Sequence, residues 1–505
     1  MSSHTSVPAE VRAILASSPG VPPVRPNTPV LPLESPYATA SFIDPTVNVI
    51  AGNRASVGQK DFIAPFVTLD ASRGVIKIGS STTIQDNARL IANPSGRSGL
   101  TGILVGDNVV VGDGAIVRGP SSIGRIGGEP TSIGANARII GAIIEPGAFV
   151  GALARVGPGV TVPSGFRVLP GASVTTNAQA SDPSLGRVVR VTPSDSFAST
   201  TTKVIAANSA LAIGYATLFH GNSATGGTSS IGPIPGPILA SGSGIYFGAL
   251  NNILGASSEP GSKNVPFEPT AGTPLFASAD GSSLASLDQN TSYRFPARVI
   301  GQVTFGQTAG KVQSALGQGV SIRADEGQPF TFRAIAKLGN NVSIHSPLGG
   351  VQATTTTTVT TTTTTVTGET TTNTTTSVVK SAGAPTATSG TTTAATSGIN
   401  AQGVAFTGTT VTTIATKTTN LGVIGVGKGF RALNGSVILG GPSASSTFGD
   451  NVTIGAGAVV DTSSIGNGAV IGRRAYIENS TIAAGAVIPA GAIIINDQIA
   501  GTIAW

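Results

Sequence analysis

The chain contains no cysteine, which excludes disulfides, thiolate metal sites and cysteine nucleophiles. Charge is scarce at 10% of residues and aromatics reach only 5%. Histidine occurs three times, methionine and tryptophan once each. No apolar run reaches the roughly 18 residues needed to cross a bilayer, so no membrane span is expected. The first residues, MSSHTSVPAEVRAILASSPG, lack a basic segment followed by an apolar core. They read as no secretory signal and favour a cytoplasmic location, with an extracellular or surface location left open. The net charge is +6, yet the basic residues form no run and no aromatic interleaving. A nucleic-acid partner is therefore not expected.

Glycine is abundant, at 68 of 505 residues. The composition is too apolar for a disordered chain and too glycine-rich for an ordinary α/β enzyme. It suits tightly coiled β-structure, where Gly and Asn turn corners and small branched residues fill a narrow interior. A short period supports this. Stretches such as VTLDAS, ILVGDN, VVVGDG, TSIGAN, ARIIGA and RVGPGV carry an aliphatic residue every sixth position, followed by a turn pair. This is the hexapeptide pattern of a parallel β-helix. The aliphatic residue points inward, and the Gly or Asn corner accepts backbone angles that other residues resist. A coil buries its interior only against its neighbours, so many coils must stack. A sandwich of short strands is the competing architecture.

The chain divides accordingly. Residues 1–37 form a Pro/Ser-rich leader and 38–181 a first β-helix unit. A helix is expected within 182–222, from Lys203 to His220, with Ile205, Ala212 and Tyr215 on one face. Residues 223–285 read as a Gly/Ser/Pro-rich linker or insert. A second, less regular unit occupies 286–350, where RVIGQV, TFGQTA, GKVQSA and LGQGVS read as hexads, and resumes over 421–505. Between its parts, residues 351–420 are dominated by threonine. Two readings are open there: one or two long strands turning at Gly368, or a solvated low-complexity loop.

One stretch carries a concentration of polar chemistry: SIRADEGQPFTFRAIAKLGNNVSIH, Ser321 to His345. It resembles the γ-class carbonic anhydrases, most closely the carbonic-anhydrase-like domain of the carboxysome assembly protein. SIRADEGQPF matches a family motif, and TIQDNARLI at 83–91 matches the corresponding stretch of the first unit. The helix after the first unit, with ALAIGY, resembles the family's capping helix. The likeness covers both repeat runs and leaves out the leader, linker and Thr-rich insert.

The resemblance implies left-handed parallel β-helices that trimerise, with zinc held between subunits by three histidines. Position by position, the ligand set is degraded in both copies. In the first unit Gln85 and Asp86 keep a conserved pair, but Ile91, Asp113 and Arg118 stand at the ligand positions, and Asp70 at that of a substrate-side arginine. In the second, Arg323, Asp325 and the adjacent Glu326 keep the charged motif and His345 stands at the first ligand position, but Asn434 and Leu439 stand at the other two. A catalytic zinc needs three protein ligands and an open water position. No zinc or other cofactor is therefore expected.

Arg323 and Asp325 read as an ion pair across an interface, His345 as a hydrogen-bonded corner histidine, and Asp113 with Arg118 as a salt bridge in place of the metal. His220 closes a helix and His4 lies in the leader. The expected function is a non-catalytic tandem β-helix protein in assembly or scaffolding. It would be a homo-oligomer, a trimer by resemblance, offering the Thr-rich insert to protein partners. The alternatives are a zinc-dependent carbonic anhydrase, with reversible CO2 hydration, or a hexapeptide-repeat acyltransferase using His345 as general base. A threonine-built adhesive surface is a third reading.

Overall fold

The structure is a computed structural model. It describes residues 41–505 except 45, 94–101, 193–194, 225–296, 302, 308, 325–329, 348–351, 367–368, 383–389, 400–404, 421–422, 442–444 and 504. The leader, nearly all of the linker, Asp325 and Glu326 lie outside the described residues.

The repeats build two parallel β-helices, here called the first and second prisms. In the first, short strands stack into three sheets. Sheet A runs from Phe42–Ile43 to Phe166–Val168 and ends on an antiparallel strand, Val188–Arg190. Sheet B runs from Asn48–Ile50 to Ser173–Val174, and sheet C from Ala55–Ser56 to Thr161–Val162. Inward positions form aliphatic columns. Val49, Leu69, Leu90, Val117, Ile139, Val156 and Val174 pair coil on coil, each at most 1% exposed.

The corner between sheets A and B repeats one backbone conformation. Phe66, Asn87, Gly114, Asn136, Leu153 and Gly171 all have φ between 55° and 68°. Asparagine and glycine tolerate this left-handed region best, which explains the Gly-Asp and Gly-Asn signature.

The second prism has the same plan with an irregular start. Sheet D runs from Ala297–Gly301 through Val320–Ala324, Ser343–His345, Val437–Leu439, Val459–Asp461 and Tyr476–Glu478 to Ala492–Ile495. It ends on the antiparallel strand Gln498–Thr502. Two nine-residue strands, Phe330–Leu338 and Ile424–Ala432, pair with each other and merge the remaining sides into sheet E. Serines climb this prism at a spacing of 17 residues: Ser463 N–H donates to Ser446 Oγ and Ser480 N–H to Ser463 Oγ.

The three helices are α1 (Asn177–Ser181), α2 (Phe197–Ala224) and α3 (Ala309–Ala315) among the described residues. Helix α2 is longer at both ends than the sequence suggests. It packs on sheet A, with Val204 and Ile205 against Val110. Helix α3 corrects the hexad reading of GKVQSA. That stretch has no Gly-Asn or Gly-Asp corner, and Ala, Lys and Gln favour a helical turn; Val312 is its fully buried residue.

The Thr-rich insert forms a separate compact body, residues 350–421. It holds four antiparallel strands, in the order Glu369–Ala382, Gln352–Val366, Ala405–Asn420, Gly390–Ile399. β-Branched threonine fits this conformation. The segment is thus sheet rather than loop, with more strands than expected.

Close approach between coils generates a testable contrast. A Cβ on Gly134 would stand 2.5 Å from Ala152 N and 2.7 Å from Gly151 C, while Gly165 has φ of 75° and open space around it. Gly165→Ala should cost about 1–2 kcal/mol, the left-handed penalty alone. Gly134→Ala should cost more, because backbone of the next coil must move. Thermal melts of the two variants would rank them; equal melting temperatures would contradict coil contact at Gly134.

Candidate functional site

The two prisms meet along the corner column of the first. Asn87 Nδ2 donates to Ser343 Oγ at 3.0 Å, and Asn136 Nδ2 to the carbonyls of Gly435 and Gly457 at 2.9 and 3.2 Å. Leu153 accepts from Trp505 Nε1 at 3.0 Å, and Arg138 and Arg474 lie over that indole ring. Apolar packing continues the seam through Ala135, Ala152, Val437, Val459, Tyr476 and Ile493.

Within this seam the surviving charged residues converge. Arg323 Nε lies 3.0 Å from Asp86 Oδ2, and Arg323 Nη2 donates to Gln85 Oε1 at 3.1 Å. Ser321 Oγ also donates to Asp86. Arg323 Nη2 is 3.3 Å from His345 Nδ1, and His345 Nε2 lies 2.8 Å from both carboxylate oxygens of Asp113. The Arg323 guanidinium also stacks on the Phe62 ring, 4.9 Å from its centroid. Arg323 and Asp86 are fully buried, and His345 is 1% exposed.

The proton on His345 follows from its neighbours. A guanidinium can only donate, so Nδ1 accepts from Arg323; Nε2 then carries the hydrogen and donates to Asp113. Asp86 is the fully buried partner of Arg323. Loss of water raises its pKa to about 6, against the lowering pull of Arg323 and His345.

Several expectations change here. Asp113 does not pair with Arg118, whose side chain is exposed on sheet B; it binds His345 across the seam. The hexad alternation sends Asp113 and Arg118 to different flanks of one corner. Arg323 pairs with Asp86 of the other prism; Asp325, the partner expected from the sequence, lies outside the described residues. His345 sits in a strand, not at a corner. Ile91, in sheet B, faces the groove on the other side of the corner. Asn434 is an exposed corner residue whose Oδ1 accepts from Asn340 N–H, and Leu439 is partly buried beside His345 in the next coil.

Sequence reasoning missed the column beyond His345. Strand register stacks His345, Leu439, Asp461 and Glu478 on successive coils. Burial, then the nearby Glu478, raises the Asp461 pKa to about 7. Tyr476 donates to Glu478 Oε2 at 3.0 Å. Burial and those carboxylates push its phenol upward. Aligning AVVDTS with AYIENS, 17 residues on, places the two acids in register. A cavity of about 230 Å³ opens beside them, bordered by Gln85, Asp113, Arg167, Thr201, Asp461 and Tyr476.

Asp86, Asp113 and His345 bring one donor atom each within 4.8 Å of one another. That spacing alone suits a cation. The lone pairs do not fit zinc, however. Nδ1 is committed to Arg323, Nε2 bears a hydrogen, Asp86 is shared by Arg323 and Ser321, and Leu439 offers no donor atom. A dication would also stand beside a buried guanidinium.

No family model and no characterised protein sequence matches the chain. Among solved structures, it is similar to a hexapeptide transferase family protein from Anaplasma phagocytophilum, at 20% identity over 34% of this chain and 92% of that one, with a TM-score of 0.25. It is also similar to a candidate acetyltransferase of Bacillus cereus, at 18% identity over 34% and 92%, with a TM-score of 0.14.

Two tests address the cluster. Arg323→Met leaves Asp86 buried beside an apolar side chain and should cost about 3–5 kcal/mol, whereas Arg323→Met with Asp86→Leu should cost less than that single change. Urea titrations of both variants would measure this. For Asp461, the raised folded pKa means the native state binds the proton more tightly than the unfolded chain. Ionisation therefore opposes folding increasingly from about pH 4 to pH 7, and constantly above. Asp461→Asn should leave stability unchanged near pH 4 and raise the melting temperature above pH 7. A gain that is the same at pH 4 and pH 8 would contradict this origin.

Proposed function

We propose that this chain is a non-catalytic, γ-carbonic-anhydrase-like β-helix protein whose former metal site has become the clamp between its own two prisms, and that it serves in assembly or scaffolding. The observation that carries the reading is the His345–Asp113 contact. An imidazole that accepts from arginine and donates to aspartate has no lone pair for a metal and none for a base's work. In the family it resembles, such a seam lies between subunits; here both flanks belong to one chain. Burial of the whole cluster fits a structural role.

A second reading, an acyltransferase, draws on the cavity beside Asp113 and Asp461. It would need the Asp113–His345 bond to open on substrate binding.

Metal content and CO2 hydration should be measured on one sample of intact protein. Under the proposed reading both are absent from a folded chain, and acyl-CoA shows no saturable binding. Stoichiometric zinc together with hydration would overturn it. Saturable acyl-CoA binding would carry the second reading instead.

A further inference from the structure

The contact between the prisms is one-sided. The residues just before the first prism's corner, Gln85, Asp86 and Asp113, meet the strands just after the second prism's corner, which carry Ser321, Arg323, Ser343 and His345. A seam of this head-to-tail kind always leaves one unused half on each participant. Here the largely unused halves are sheet B of the first prism, where only Arg138 reaches the second prism, at Trp505, among the described contacts, and the corner residues of the second. They face each other across an open groove of about 420 Å³, with Asn48, Thr68, Asp70 and Arg89 on one wall and Gln318 and Asn341 on the other.

Sheet B has an unusual outward face. Register stacks Thr68, Arg89, Ile116, Arg138, Arg155 and Ser173 in one column, and Ile50, Asp70, Ile91, Arg118 and Ile140 in the next. Arg89, Arg118 and Arg138 are exposed and Arg155 half-buried. Strands in a sheet lie about 4.8 Å apart, so these cations are crowded. Burial lowers the Arg138 pKa, and the neighbouring Arg118 and Arg155 lower it further. Partly buried isoleucines between them add an apolar component that a purely solvated face would not need.

We propose that sheet B and the adjoining groove form a docking surface for an acidic protein partner, one that presents a column of carboxylates along an edge. The internal seam supplies the precedent, since there Asp86 and Asp113 of one edge meet Arg323 and His345 of a sheet. A second copy of this chain is a poor occupant. Its own carboxylate-bearing edge is already buried, and its free edge carries Gln318, Asn340, Asn434 and Arg473 at the matching positions. It would bring amides and an arginine to a face of arginines. Nucleic acid is disfavoured by isoleucines where bases would need aromatic platforms. The inference stands whether or not the buried cluster has catalytic activity.

Calorimetric titration of the full-length chain with poly-L-glutamate, and separately with oligo(dT), would test it. The variant Arg89→Glu with Arg118→Glu changes two exposed side chains; Lys337→Glu with Arg431→Glu, exposed cross-strand neighbours on sheet E, makes the same change in net charge elsewhere. The expected result is saturable, salt-sensitive binding of poly-L-glutamate that weakens roughly tenfold or more in the sheet B variant and little in the control. Equal weakening in both variants, or no binding by the unaltered chain, would overturn the proposal. Tighter binding of oligo(dT) through the same two arginines would overturn the choice of a protein partner.

Discussion

Coil-on-coil stacking is the constraint from which the rest of this structure follows. A single hexapeptide coil has too little interior to bury anything. Its aliphatic residue is sheltered only when the coils above and below repeat the same residue at the same place. The column from Val49 to Val174 shows how strictly that is met. Repetition inside then forces repetition at the corners, where each coil must reverse direction in the same left-handed conformation. Corners that repeat align their neighbours too, so any side chain beside a corner becomes a member of a column. Charge placed in such a column is multiplied or paired; it is seldom alone.

The seam between the prisms uses this geometry. A column of carboxylates on one edge meets an arginine and a histidine stacked on a sheet, and Phe62 closes over the arginine. Burying these charges is costly unless each has its partner and its remaining hydrogen bonds. Arg323 has Asp86, Gln85 and His345 around it, and His345 has Arg323 and Asp113. Each of these side chains is held by at least one other, so the cluster works as a unit. Its hydrogen bonds hold the prisms together, and the same contacts occupy the histidine and aspartate atoms that stand at metal-binding distance. The cavity next to them is bordered by Asp461, whose proton is held tightly for want of water.

The outward face of sheet B shows the other outcome. Where the second prism's sheet meets carboxylates, the first prism's equivalent sheet places Arg138 over Trp505 and leaves Arg89 and Arg118 exposed on neighbouring strands. The same fold thus presents one satisfied and one unsatisfied version of the same surface.

How much of this was legible beforehand depends on the period of each signal. The hexads, the aliphatic interior, the Gly and Asn corners and the helix after the first prism could be read directly, because each is local and repeats. Threonine's β-preference pointed to strands in the insert but not to their number, which is set by pairing between distant segments. GKVQSA was misread because an irregular stretch beside true hexads borrows their apparent period. The charged residues of the site could also be picked out, as Gln85, Asp86, Asp113, Arg323 and His345. Their partners could not. Arg118 and Asp113 are five positions apart in the chain, yet the corner between them sends one to solvent and the other into the seam. The sequence by itself determined a stacked β-helix and the residues worth watching. Only the packing of one prism on the other decided that Asp113 meets His345 and Asp86 meets Arg323, since hydrogen bonds between residues more than two hundred positions apart depend on a docking that no local period encodes.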